Sequence, residues 1–239
     1  MLRTITDDLW TLERDIRLSG GMRMPARATM LRLSKGDELL VHSPLAIDDE
    51  TARAISRIGN VTCIVAPNCM HHLFLRDAVA RWPKARLFGP PGLERKSKGL
   101  AFDALPAEGP ILDGSVSVRR IDGAPLIAEH VFLHPRSRTL LVSDLVFNVH
   151  TSPGVSLPFF LRLVGAWKKL GQSRVWKLLT KDRAAAAQSA QDLLLWDFDR
   201  LVMAHGDIVD AGAHAKMESA LAWMCKSPAP PLLPRASTR

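Results

Sequence analysis

The chain has 239 residues, 47% of them hydrophobic and 23% charged, the size and balance of one globular domain that buries its own core without staples. Lysine and arginine exceed aspartate and glutamate by eight, but they are spread along the chain, which reads first as a basic protein and second as one with an anionic substrate, a nucleic acid or a lipid headgroup as partner. The absence of a recognised basic motif argues against a nucleic-acid partner.

Three cysteines, Cys63, Cys69 and Cys225, form neither a C-x-x-C pair nor an even framework, a pattern that suits the reducing cytoplasm. The opening MLRTITDDLW lacks the apolar stretch of a signal peptide, and no apolar run approaches the roughly 18 residues of a membrane span.

In chain order, residues 22–44 read as strands, with Ser34-Lys35-Gly36-Asp37 as a hairpin turn. A helix follows, capped by Asp48 or Asp49 and ended by Gly59. VTCIVAP is a buried strand, HLFLRDAVARWP a helix stopped at Pro83, and ARLFGPPGL a strand running into a turn. Residues 94–110 read as mostly loop. SVSVRRI, EHVFLHP and TLLVSDL are strands, and residues 155–196 carry helical patterns. RLVMAHG is a further strand and AHAKMESALAWMCK a closing helix. Early hairpins followed by alternating strands and helices predict two sheets with helices outside, as one domain over residues 1–226. The proline-rich residues 227–239 are expected to be a mobile tail.

Three apolar strands run into residues of the type that bind metals. VTCIVA leads to Asn68, Cys69, His71 and His72, TLLVS to Asp144, and RLVMA to His205. Side chains at the carboxyl ends of buried strands converge on one crevice, and imidazole and carboxylate are ligands that zinc and iron accept. Adjacent histidines share no face of a regular element, so His71 and His72 can converge only from a loop.

On the segments APNCMHHLFL, HPRSRTLLVSDLVFN and LVMAHGDIV, the chain resembles the metallo-β-lactamase superfamily. Within it, the likeness is to a subgroup of unknown function that carries Pro-Asn…His-His-Leu-Phe. The resemblance implies a four-layer αβ/βα sandwich of mixed α/β class. It sets His71 and His72 on the Asp-His of the superfamily's first motif, Asp144 on its bridging carboxylate and His205 on its last histidine. Pro67 and Cys69 then stand where two earlier histidines belong. Residues 122–129, where a third-motif histidine is expected, contain none. The resemblance therefore implies one divalent metal at most, zinc or iron, on His71, His72, Asp144 and His205. Water activated there would attack an ester, thioester, lactone or phosphoester. Four protein ligands would close a tetrahedral zinc. Alternatively, Asp144 acts on the water and three histidines hold the metal. A non-enzymatic binding or scaffold module with a degenerate crevice is the other reading.

Glu129 ends the segment that lacks the histidine. It reads as a ligand, a general base, a partner that orients a ring, or a strand residue paired with an arginine. His130 and His134 share one strand face. His42 and Asn68 are candidates to support the ligands. In LPFFLRLVGAWKKLGQSRVWKLL, Phe160, Leu163, Val164, Trp167 and Leu170 fall at helical spacing amid basic residues. Residues 157–179 are thus a core-facing helix, a lid, a dimer face or a peripheral membrane contact. Nothing in the sequence sets the oligomeric state.

Overall fold

The structure, a computed structural model, describes residues 2–18, 21–34, 36–152 and 154–226. The proline-rich tail lies outside these residues, as does Lys35 of the hairpin turn. One sheet contains β1 (Leu2–Thr6), β2 (Leu9–Arg17), β3 (Arg23–Arg32), β4 (Glu38–His42), β5 (Asn60–Val65), β6 (Arg86–Gly89) and β7 (Asp103–Ala104), in that order. Its first four strands are antiparallel and its last four, from β4 on, are parallel. The second sheet has β8 (Glu108–Ile111), β9 (Val116–Arg120), β10 (His130–His134), β11 (Thr139–Val142) and β12 (Arg200–Met203) in the order β12-β11-β10-β9-β8. There only β11 and β12 run parallel.

Alternation along the strands builds the layers. Leu40 of β4, Val65 of β5, Phe132 of β10, Leu141 of β11 and Val202 of β12 meet between the sheets. Their neighbours turn outward. Leu39 and Val41 pack with Ile55 of α1 (Asp49–Ile58), and Ile64 packs with Leu75 and Ala78 of α2 (Leu75–Arg81). On the far side, Val131, Leu140, Val142 and Leu201 pack under α5 (Arg183–Leu193) and α6 (Ala213–Cys225). The result is helix–sheet–sheet–helix, the expected four-layer sandwich.

Asp48 caps α1 by accepting from the Thr51 amide at 2.7 Å. Gly59 ends that helix because a Cβ there would sit 2.1 Å from the Asp37 carbonyl oxygen.

The structure adds two features to these expectations and corrects one. The N-terminal residues, unassigned from sequence, form β1 and β2, and Trp10 and Leu12 of β2 enter the α1-side core. Residues 94–110 are mostly loop, as expected, and also carry β7 and most of β8 as sheet edges. The helical pattern over 155–196 is broken into α3 (Ser156–Leu163), α4 (Arg174–Leu179) and α5. Gly165 and Lys168 adopt left-handed φ of 73° and 55°, so Trp167 does not continue the Phe160–Leu163 helix. Instead the intervening chain pairs back, Phe147 with Gly171 and Val149 with Trp167.

Candidate metal centre and cavity

The three strand ends converge. His71 follows β5, Asp144 lies two residues beyond β11 and His205 two beyond β12. One ligand atom from each lies within 4.8 Å of the others. His71 Nε2 is 3.4 Å from Asp144 Oδ2, and His205 Nε2 is 3.4 Å from Asp144 Oδ1. The carboxylate thus faces both rings.

Each ring is fixed from behind. His205 Nδ1 lies 2.8 Å from the Pro25 carbonyl oxygen. A carbonyl only accepts, so Nδ1 carries the proton, and in the neutral ring the Nε2 lone pair points at Asp144. Phe147 stacks on this ring at 5.4 Å and 10°. Ser43 Oγ lies 2.6 Å from His71 Nδ1. Ser43 is buried just past β4, at a left-handed φ of 54°.

Asn68 ties the centre together. Its Oδ1 accepts from the Met70 and His71 amides at 2.8 and 3.0 Å, which turns the loop toward the site. Its Nδ2 donates to Glu129 Oε2 at 2.6 Å and to Asp144 Oδ2 at 2.8 Å. Glu129 is fully buried behind Asp144 and also accepts from the amides of Ser143, Asp144 and Leu145. Burial, and then the Asp144 carboxylate, push Glu129 up to about 8, against the pull of Asn68 and the amides. Burial also opposes ionisation of Asp144, but His71 and His205, when protonated, hold its carboxyl well below the usual carboxylate range.

The donor set fits a cation. A lone pair 3.4 Å from a carboxylate oxygen is repulsive unless a positive species lies between them. The separation exceeds the 2.7–3.2 Å of ordinary N–H···O bonds. It matches the roughly 3.4 Å between two ligand atoms each about 2.1 Å from a tetrahedral zinc.

The structure brings together three of the four expected ligands. His72 is outside the group of three. Its ring lines the adjoining cavity, with a buried Nδ1 that has no hydrogen-bond partner. Glu129 does not line that cavity. Cys69 is buried with Sγ toward the Pro91 carbonyl, and burial pushes its thiol up. His42 is buried edge-on to Phe132, and burial followed by His71 lowers it to about 3.

Sequence reasoning missed Ser43 and Arg27. Arg27 is buried in β3, paired with Glu13 at 2.7 Å, and donates to the carbonyls of Met203 and Gly206 at 2.5 and 2.6 Å. It locks the turn that presents His205. An arginine set between two alanines in the middle of a strand was the available signal. Gly206, at φ 100°, is required because a Cβ would sit 2.3 Å from the Asn148 carbonyl.

The cavity beside the centre measures about 430 Å³. His71, His72, Asp144, His205 and Ser173 are its polar lining. The remaining wall is aliphatic, aromatic and methionine side chains, including Phe160, Val164, Val175 and Trp176 from α3, α4 and their flanks. Among the described residues, no lysine or arginine lines it.

A family described as Domain of unknown function (DUF4336) matches residues 6–93, which include the Asn68–His72 segment. No curated protein matches in sequence. Among solved structures, a metallo-β-lactamase from Pontibacter korlensis superposes with TM-score 0.62 at 14% identity, over 93% of this chain and 98% of that one. The metallo-β-lactamase FIM-1 from Pseudomonas aeruginosa, in its mono-zinc form, gives 0.60 at 13% identity over 95% and 96%. A metal-soaked Flv1 flavodiiron core from Synechocystis sp. gives 0.64 at 11% identity over 94% of this chain and 60% of that one. With the two sheets, their helical covers and the site at the strand ends, these matches establish that the chain has a metallo-β-lactamase-like fold.

Proposed function

We propose that the chain is a metal-dependent hydrolase with one divalent metal, zinc or iron, held by His71, Asp144 and His205. The observation that carries this is the inward Nε2 of His205, fixed by the Pro25 carbonyl and facing the Asp144 carboxylate at 3.4 Å. Zinc is named for the FIM-1 structure and iron for the Flv1 flavodiiron core, both of this fold.

Three protein ligands leave a position open, the arrangement of catalytic rather than structural zinc. When bound, the metal supplies Lewis acidity and lowers the pKa of water. The chain's own residues do the rest. Asp144, ionised and facing the cavity, is the third ligand and orients the water beside it. Asn68 and Glu129 fix Asp144 from the buried side, so Glu129 is a positioning residue. His72, whose ring lines the cavity wall, contacts the substrate rather than the metal.

The wall selects the substrate. An apolar lining without a cation disfavours a small anion and favours an ester, thioester, lactone or phosphoester with a hydrocarbon body. The three free cysteines support a cytoplasmic setting.

Metal analysis of protein purified without chelator or affinity metal, alongside hydrolysis of nitrophenyl esters of increasing acyl length, tests the reading. About one metal per chain, with hydrolysis that rises with chain length and disappears with chelator, is expected. Two metals per chain would overturn the ligand assignment. Absence of metal would leave the fold and favour a non-enzymatic binding module.

A further inference from the structure

The basic residues are spread along the chain, but the acidic ones are not. Residues 145–181 contain six lysines and arginines and no aspartate or glutamate, so this segment carries six of the eight net positive charges. It is also the segment that forms one wall of the cavity, through Phe160, Leu161, Val164, Val175, Trp176 and Leu179.

Large apolar side chains of the same segment face solvent. Val155, Phe159 and Leu163 recur every four residues along α3 and are 86%, 71% and 62% exposed. Leu178 of α4 is 83% exposed. Leu73, from the loop that carries His71 and His72, lines the cavity and is 61% exposed. The cations Arg162, Lys168, Lys169, Arg174, Lys177 and Lys181 are exposed among them. Scattered single hydrophobics mean little, but several on adjoining short elements around one apolar cavity mark an interaction surface.

We infer that this surface, α3, α4 and their connection, docks on an anionic membrane with the cavity toward the lipid. Apolar side chains of a segment whose only charges are cations match the interface of an anionic bilayer, where hydrocarbon lies beneath negative headgroups. Among the described residues no helix is long and apolar enough to cross a membrane, so the contact is peripheral. A protein partner with a flat apolar face would take the hydrophobic residues without needing six unopposed cations. Docking would let a lipophilic molecule pass from the bilayer into the cavity without crossing water.

Docking does not depend on the hydrolase reading, because it needs neither metal nor turnover. The test is co-sedimentation of the full chain, with and without chelator, with vesicles of phosphatidylcholine alone or mixed with phosphatidylglycerol. Binding to the mixed vesicles only, unaffected by chelator and weakened by high salt, is expected. Each cation near an anionic surface contributes about fivefold in affinity. The double variant Lys168→Glu/Lys169→Glu should therefore bind at least about 25-fold more weakly. Phe159→Asp/Leu178→Asp should abolish sedimentation. All four residues lie outside the cavity lining, so ester hydrolysis in solution should persist. Equal binding to both vesicle types, no binding at low salt, or full binding by both variants would overturn the inference. So would a stable dimer that the Phe159→Asp/Leu178→Asp variant dissolves, since the patch would then belong to a second copy.

Discussion

Two histidines at the candidate centre and three within strands make opposite use of burial. His71 and His205 sit just past strand ends, each with one ring nitrogen held from behind and the other facing Asp144. His42, His130 and His134 sit within strands, turned between the sheets, and no carboxylate hydrogen bond or ion pair reaches them among the described residues. His130 Nδ1 meets only the Ala128 carbonyl and His134 Nδ1 only Ser137 Oγ. Burial lowers His130 to about 4, and it also lowers His134. The first set therefore gathers its ligand-type atoms around one point, whereas burial disfavours the charged form in the second. The difference lies in chain position: a strand residue points where the pleat sends it, and a loop residue can be aimed.

The sharpest way to break this contrast is to remove a ligand. Asp144→Ala or His205→Ala should lower metal affinity by more than roughly 100-fold, the upper end of what loss of a mere supporting hydrogen bond costs. His130→Ala should leave the affinity unchanged while it destabilises the fold. Metal titration by competition with a chromogenic chelator measures the first, and denaturant unfolding the second. Retention of full affinity by the Asp144 variant would dissolve the distinction.

The neutral set should announce itself through pH. His130 has its folded pKa depressed to about 4 from an ordinary 6.5, so between those values the unfolded chain binds the extra proton. Stability should be full above about pH 6.5, fall as the pH drops through this window, and level off below about 4, a loss on the order of 2–3 kcal/mol from this residue. Unfolding of the metal-free protein at a series of pH values would show it, and His130→Gln should flatten the slope. An unchanged slope would mean that His130 does not titrate on unfolding.

Weaker effects sharpen the same boundary. Ser43→Ala, which removes the group behind His71 Nδ1, should cost about tenfold in metal affinity with little change in fold. His72→Ala should leave one metal per chain and act on substrate instead, raising KM for esters more than it lowers kcat. A large loss of metal in His72→Ala would restore the four-ligand centre implied by the resemblance to the superfamily.

Much of this was legible because it is local. The runs at residues 60–65, 139–142 and 200–203 read as strands from short apolar stretches, and α1 and α6 from their periodicity and flanking signals. Asp144 and His205 could be picked out because they immediately follow such strands. The order of strands and helices was enough to imply two sheets covered by helices.

What the local sequence could not decide was direction and partnership. His71 and His72 are adjacent and chemically alike, yet only His71 joins Asp144 and His205. The choice comes from the Asn68 turn and from Ser43, whose contact with His71 spans 28 residues. Glu129 reads equally well as a base or a ligand until the fold buries it against the Ser143–Leu145 amides. Arg27 reaches Met203 and Gly206 across more than 170 positions. The break after Leu163 likewise awaited the pairing of Val149 with Trp167. By itself, then, the sequence determined which strands are buried and which residues stand at their ends. Period and turn chemistry act over a few residues and are carried by the chain alone. The tertiary structure alone decided which of those residues face one another, because that depends on contacts between segments far apart in the chain.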